Sequence, residues 1–575
     1  MNKMRFYKDL LMRYLKLSFT GFLAAALLPT LAFAVPAVVV PPSAQPSRTD
    51  KQLSIENERP EVGGPVVITV TDQNGHRNAL KGDVTFVLKD IKFENLTAFT
   101  KEDLLPLYSD DLDKKVSLET INDIADKITA HYRNAGYILS RAMVPPQSVS
   151  GGVVTIKIVE GYINNVTILG DKNASGLLAD YVEKIRAAKP LDVATLERYL
   201  LLMQDLPGIN ARAVLSPATG VQGASDVAIT ITEKKLDGSL SLDNRGTRYL
   251  GPIEEGATAG LNDMFGLYDR TQLHGTITGD PREMQFYQFS HDEQLDSEGT
   301  KLTVSASRTH TEPGYRLEAF DVSGIDTLYS AAVSHPFLRS RKTNIYGNVS
   351  FDIRDTDSDA AGQKLYQDRL HVGRIGGSYD FVDSTSAINR VEAQLSKGFG
   401  WDDNTGLDLR SRIGGRTDFW KGTMQASRLQ PISGPFSAYV ATTGQIGSAE
   451  LLTAEQFGLG GVPFNSAYDP SEVTGDSGVD GRFELQYSNT TNFKYLPTYE
   501  LYSFYDIGEV WVRNPSAGVH DSTSLASAGL GSRFNVSDPV SGSVELAVPM
   551  THEVAANAPN HGNDARLFFS LAARF

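Results

Sequence analysis

The chain has no cysteine among its 575 residues, which removes disulfides and thiolate metal sites from consideration. Beyond the N-terminus it has no run of about 18 apolar residues, the length a membrane helix needs. Positive charge is in deficit: 54 Lys and Arg against 69 Asp and Glu give a formal charge of −15, the wrong sign for a nucleic-acid partner. The ten histidines show no H-E-x-x-H or comparable metal spacing, and there is no G-x-S-x-G nucleophile elbow. Gly475-Asp476-Ser477-Gly478 imitates the surroundings of a serine-protease nucleophile, but a protease also needs a positioned histidine, an aspartate and an oxyanion hole. Catalysis has no foothold in these patterns, and no cofactor or metal is expected.

What is present begins with an export signal. Lys3, Arg5, Lys8, Arg13 and Lys16 precede the apolar stretch Leu17 to Ala34, which ends in Ala32-Phe33-Ala34, a small-x-small cleavage pattern. Residues 1–34 read as a signal peptide cut before Val35, an uncleaved anchor being the alternative. Residues 35–80 read as a linker: Val35 to Arg48 is rich in Pro, Ala and Ser, and Thr49 to Glu61 is polar and charged. Thr49 to Glu58 has room for two or three helical turns before Pro60, with a disordered tether as the other reading.

Two small α+β modules follow, over 81–161 and 162–235. In the first, Leu118, Ile121, Ile124, Ala125, Ile128 and Tyr132 recur at helical spacing behind a candidate N-cap, Ser117. Val154, Ile156 and Ile158 alternate with Thr155 and Lys157, as in a strand with one buried face. The second module repeats the pattern with helices carrying Leu177, Leu178, Tyr181, Val182 and Ile185, then Leu196, Tyr199, Leu200 and Met203 behind Asp192; a strand over Val227 to Thr232 ends it.

From 236 to 575 the texture changes to short alternating runs separated by Gly, Asp, Asn and Ser. Leu302, Val304 and Ala306 alternate with Thr303, Ser305 and Ser307; Ile345, Val349, Phe351 and Ile353 and then Val544, Leu546 and Val548 do the same. An apolar face of this kind meets either a second sheet or lipid. The last strand favours lipid. Leu567, Phe569, Leu571, Ala573 and Phe575 alternate with Arg566, Phe568, Ser570, Ala572 and Arg574, and the sequence stops on Phe575. Such a strand must close a barrel against the first, because open edges cannot face hydrocarbon.

The periplasmic half resembles a pair of POTRA domains, the modules of the BamA/TpsB superfamily. Val144-Pro145-Pro146-Gln147 followed by Gly151 to Gly161, and then Leu206-Pro207-Gly208-Ile209, look like the TpsB branch, the haemolysin secretion/activation transporters of two-partner secretion. Leu242-Asp243-Asn244-Arg245-Gly246 with Gly251 resembles the first hairpin of TpsB barrels. The resemblance implies a barrel of 16 antiparallel strands in the bacterial outer membrane and POTRA domains in the periplasm. It also implies a large unfolded exoprotein as client, and it often places a helix of the linker in the lumen. The terminal strand, with Phe569, Leu571 and Phe575 on one face, looks like the signal read by the barrel-assembly machinery.

The same resemblance marks a pore loop over Phe457 to Leu485. Gly460, Gly461, Gly475 and Asp476 fit the family, but the tip reads Asn465-Ser466-Ala467-Tyr468, where only Tyr468 matches the family's Val-Arg-Gly-Tyr type of tetrad. Phe504-x-Asp506 resembles the barrel-wall partner of the missing arginine. Without that arginine, Ser466 is expected to donate a neutral hydrogen bond to Asp506, about half as strong as a charged one. The tip would then be held loosely or anchored elsewhere, Arg482 being the candidate; Asp506 as a solvated lumen residue is the remaining option. The rival functions are a barrel-assembly factor of the same superfamily and, from another class, a receptor or adhesin anchored by its barrel.

Overall fold

The computed structural model describes residues 39–54, 68–70, 84–172, 175–401, 409–516 and 518–575. The expected signal peptide, residues 1–34, lies outside them.

The first α+β module is built as its periodicity requires. Ser117 caps the helix Leu118–Asn134 by accepting the Thr120 amide at 3.2 Å. That helix buries Ile121, Ile124, Ala125, Ile128 and Tyr132 with Val154, Ile156 and Ile158 of a three-stranded sheet ordered Asp90–Glu94, Val153–Val159, Arg141–Met143. Val144-Pro145-Pro146-Gln147 has a local reason: prolines bring no N–H to a sheet, and the Gln147 side-chain amide takes the place of a strand by bonding both the N–H and the C=O of Thr155 at 2.7 Å. In the second module Asp192 caps the helix Val193–Gln204 through the Thr195 amide at 2.7 Å. This helix and Leu177–Ala187 cover a sheet ordered Ile68–Val70, Ile209–Pro217, Ala224–Glu233, Tyr162–Gly170.

Ile68–Val70 changes the reading of the linker. This segment pairs in parallel with Ala213, Val214 and Leu215, so part of residues 35–80 fills the edge of the second sheet. The helix of that zone also starts earlier than Thr49. It runs Pro46–Leu53 with proline in its first turn, where the missing N–H is harmless, and residues 55–58 of the expected helix lie outside those described.

Between the modules, Glu160 accepts the Thr97 and Ala98 amides, both at 2.8 Å, the Tyr132 hydroxyl at 2.9 Å and the Thr97 hydroxyl. Gly161 follows because a Cβ there would sit 2.3 Å from Leu139 Cβ. The second module is fastened to the near-end turns of the barrel by ion pairs: Arg339 clasps Asp205 with two bonds of 2.8 Å, and Glu298 takes Lys184 at 2.7 Å and Arg198 at 3.2 Å.

Sixteen antiparallel strands, from Leu236–Asp243 to Arg566–Arg574, close the barrel. Val304, Val349, Leu546 and Leu567 point outward and are exposed, while Ser307, Thr309, Asp326 and Asp506 point inward and are buried, the polarity of a lipid-facing barrel. The seam pairs Ser239 to Asp243 with Arg574 to Ser570. Gly238 and Phe575 extend it with two backbone hydrogen bonds, of 2.9 and 3.0 Å. At the other end the Asn244 side chain accepts the Phe569 amide at 2.7 Å and donates to Leu567 O at 2.9 Å, continuing the ladder where the first strand has ended.

Burial alone would raise the Glu160 carboxyl, but the Thr97 hydroxyl, the Ala98 and Thr97 amides and the Tyr132 hydroxyl hold it below the usual carboxylate range. A carboxyl that titrates lower folded than unfolded stabilises the fold above its unfolded value, and the contribution is lost as pH falls through the folded value. Glu160→Gln should therefore cost the first module about 1 kcal/mol at neutral pH, after discounting for partial exposure. The difference from the parent should vanish in acid, as measured by denaturant unfolding across the carboxylate range; a deficit independent of pH would contradict this.

Candidate functional site in the barrel lumen

The loop 448–476, between the strands Phe436–Gly447 and Ser477–Thr490, turns back into the barrel. Inside it Phe457–Leu459 and Val473–Gly475 form a short antiparallel hairpin, and Gly460 and Gly461 turn its end with φ of 105° and 90°, a region that favours glycine. At Gly460 a Cβ would also lie 2.3 Å from Asp469 O. The tip, Asn465 to Tyr468, is at most 2 % exposed.

Tyr468 is the most connected tip residue. Its hydroxyl donates to Ala526 O at 3.2 Å and accepts the amides of Thr551 and His552 at 3.3 and 3.2 Å. Ala467 O accepts Arg566 at 2.8 Å, and the same guanidinium pairs with Asp469 at 2.7 Å. Asn465 donates to Asp480 at 2.8 Å. Asp476 belongs elsewhere. It sits at the loop's far end, fully buried, accepting the Leu451 and Arg513 amides at 2.7 Å each and pairing with Arg412. It therefore joins three loops at the outer mouth and does not touch the tip.

The wall meets the tip at Asp506, on the strand Thr498–Trp511. This carboxylate accepts the Ser466 backbone amide at 3.1 Å, the Ser527 hydroxyl at 2.9 Å and Arg482 at 3.3 Å. The expected hydroxyl donation from Ser466 does not occur. Its Oγ instead accepts Arg482 Nη1 at 2.5 Å, and the same nitrogen reaches Pro463 O at 3.1 Å. Of the two expectations, a loosely held tip or an anchor elsewhere with Arg482 as the candidate, the geometry is that of the second: the Arg482 guanidinium reaches from the wall to the loop, in place of a guanidinium on the loop reaching the wall. Arg482 lies over the Phe504 ring, 4.1 Å from its centroid, a cation–π contact.

Several charges around Arg482 were given no role by the sequence reading, although Glu484 falls within the pore-loop segment Phe457 to Leu485 and Arg245 within the first-hairpin motif. Glu484 takes Arg482 at 2.7 Å and Arg533 at 2.8 Å. Glu545 takes Arg245 at 3.0 Å, Arg482 at 3.3 Å and the Tyr502 hydroxyl at 2.8 Å. The available signal was the alternation itself, which puts Arg482 with Glu484, and Glu545 opposite Val544 and Leu546, on inward faces. The helix Pro46–Leu53 shares the lumen. Asp50 accepts the Ser307 hydroxyl at 2.6 Å and pairs with Arg354 at 2.9 Å, and Arg354 pairs with Asp326 at 2.6 Å.

A family model described as haemolysin secretion/activation protein ShlB/FhaC/HecB matches residues 223–534, and one described as POTRA domain, ShlB-type, matches residues 86–161. The chain belongs to the ShlB/FhaC/HecB family. Relatives include the heme/hemopexin transporter protein HuxB of Haemophilus influenzae (strain 86-028NP), 23% identical over 84% of this chain and 86% of that protein. Another is the outer membrane transporter CdiB of Escherichia coli O6:K15:H31 (strain 536 / UPEC), 23% identical over 91% of this chain and 89% of that protein. The solved structure of CdiB from Escherichia coli superposes with a TM-score of 0.74 at 20% identity, covering 94% of this chain and 100% of that one, a likeness of fold. As a member of the family, the protein is an outer-membrane transporter of two-partner secretion, with its POTRA domains in the periplasm and an exoprotein as its client.

Removing one partner of a buried ion pair costs about 3–5 kcal/mol, and Arg482 serves three carboxylates. Arg482→Ala should lower the temperature at which the detergent-solubilised barrel loses its folded electrophoretic mobility. Ser466→Arg should do likewise, by setting two guanidiniums side by side. Combining Ser466→Arg with Arg482→Ser returns one guanidinium to the tip contact and should regain most of the loss; a double variant no better than the singles would show that the two positions do not exchange roles.

Proposed function

We propose that at rest this transporter is stoppered by two bodies, the helix Pro46–Leu53 and the loop 448–476, and that the client passes along the lumen once the helix has left it. The observation that carries this is the pair formed by Asp50 and Arg354 at 2.9 Å in a barrel wall whose inward face is polar. A helix tied to the wall by a single buried carboxylate, partnered by a guanidinium and a hydroxyl, is held specifically and can still be released. The loop is fixed at more points: Gly460 and Gly461 turn its hairpin, Asn465 holds Asp480, Ser466 meets Asp506, Ala467 and Tyr468 pack in one cluster with Phe504, and Gly475 and Asp476 lie at the outer mouth, so it acts as a standing constriction of the pore.

The client docks first on the POTRA pair. Main-chain pairing at a sheet edge is largely independent of sequence, which suits an unfolded chain. In the first module the outer strands are Asp90–Glu94 and Arg141–Met143, and since the Ala142 amide of the latter donates to Thr129 Oγ1 at 3.0 Å, Asp90–Glu94 is the better edge, whereas Ile209–Pro217 in the second module is paired with Ile68–Val70. Folding of the client outside the cell then makes back-sliding unfavourable. The client is a large secreted exoprotein of the TpsA kind; HuxB is named for heme and hemopexin transport. Outer-membrane lipid contacts the apolar band, and Phe569, Leu571 and Phe575 on the closing strand present the side chains read by the barrel-assembly machinery.

Deleting the gene should remove one large exoprotein from the medium and leave the inventory of outer-membrane barrels intact; a general loss of barrels would favour the assembly-factor reading instead. Asp50→Asn leaves Arg354 its pair with Asp326, so the cost to the resting state is about 1–2 kcal/mol, or roughly ten-fold more frequent openings in planar bilayers. Openings as rare as the parent's would contradict a stopper held by Asp50.

A further inference from the structure

Arg48 of the lumen helix is seated in the loop hairpin. Its Nε and Nη2 donate to Ser471 Oγ at 3.1 and 2.7 Å, and Nη1 donates to Gln456 O at 2.7 Å and to Thr453 O at 3.4 Å. Thr453 and Gln456 lie on the entering limb of the hairpin and Ser471 on the returning one, so a single guanidinium bridges both. Lys51 reaches the same Gln456 carbonyl at 3.4 Å.

Gly458 makes the seat possible. Its φ lies outside the left-handed region, so no turn demands glycine there. A Cβ at this position would lie 2.0 Å from Arg48 Nη2 and 2.6 Å from Ser471 Oγ, and the position is open because the guanidinium fills it. The acceptors that hold Arg48 are two carbonyls and a hydroxyl, all neutral. Such a seat selects by direction and number of donors, which favours a planar, weakly hydrated guanidinium over a compact, strongly hydrated ammonium. Bonds to neutral acceptors are also weaker than bonds to carboxylate, so the occupant can exchange.

We propose that the notch at Gly458 is a guanidinium-binding site, filled by Arg48 in the resting pore and open, once the helix has gone, to arginine side chains of the extended client. The client's role rests on the transport reading above; the site itself does not. Arg48 then acts as a built-in competitor, and each client arginine meets a brief foothold in the lumen.

The test uses the full chain with Arg48→Ala, which empties the notch while the helix keeps Asp50. Two quantities are followed, the frequency of channel openings in planar bilayers and the temperature at which folded electrophoretic mobility is lost. Openings should rise several-fold, and millimolar guanidinium chloride or N-acetyl-arginine amide should bring the temperature back toward the parent's value, as a ligand of the folded state does. Ammonium chloride and N-acetyl-lysine amide should not. Adding Gly458→Ala to Arg48→Ala puts a methyl group in the notch and should abolish the response. If the temperature does not respond to guanidinium, if ammonium acts equally, or if the double variant still responds, the site is refuted. None of these readouts involves secretion, so their failure leaves the transport reading standing, and an unchanged exoprotein profile on gene deletion would leave the site standing.

Discussion

Everything inside this barrel depends on how buried carboxylates find cations. Asp506, Glu484 and Glu545 are at most 3 % exposed, and an uncompensated charge at that depth is several kcal/mol too costly to keep. Arg482 answers all three, and Arg533 and Arg245 complete the set. Once these charges are paired the wall becomes a fixed surface, and Ser466 meets it with one main-chain amide and one hydroxyl, beside the contacts of Asn465, Ala467 and Tyr468.

The barrel obeys a second demand, that no strand edge face hydrocarbon. Closure between the first and last strands is short in backbone terms, five facing pairs, and is lengthened by the Gly238 and Phe575 contact at one end and the Asn244 side chain at the other. The terminal phenylalanine thus has a structural task beside any role in biogenesis: its ring lies 2.8 Å from where a Gly238 Cβ would be. The family match supports secretion rather than barrel assembly as the use to which this closed pore is put.

The lumen, seen from the periplasm, holds two bodies of different tenure. The loop is covalently part of the wall at both ends and is tied at its tip and at its outer mouth. The helix stands outside the run of barrel strands in sequence, and its side-chain ties run to the wall through Asp50 and to the loop through Arg48 and Lys51. That asymmetry is why the helix, and not the loop, is assigned the part that leaves.

Much of this could be read from the sequence because it depends on local pattern. Ser117 and Asp192 cap helices wherever a helix starts after them, and alternation along Leu302 to Ser307 or Leu567 to Phe575 assigns faces whatever the barrel's size. The tip of the pore loop was placed by its glycines and Tyr468. What tertiary structure alone decided are the pairings between distant segments: Arg482 with Ser466, Glu545 with Arg245, Arg48 with Gly458, Ile68–Val70 with the second sheet. Each of these depends on which strands become neighbours and how far a side chain reaches across the lumen, and neither period nor spacing encodes that distance. The missing arginine at the tip shows the point: the sequence registers its absence from the loop and offers Arg482 as a stand-in, and only the folded barrel brings that guanidinium to the tip.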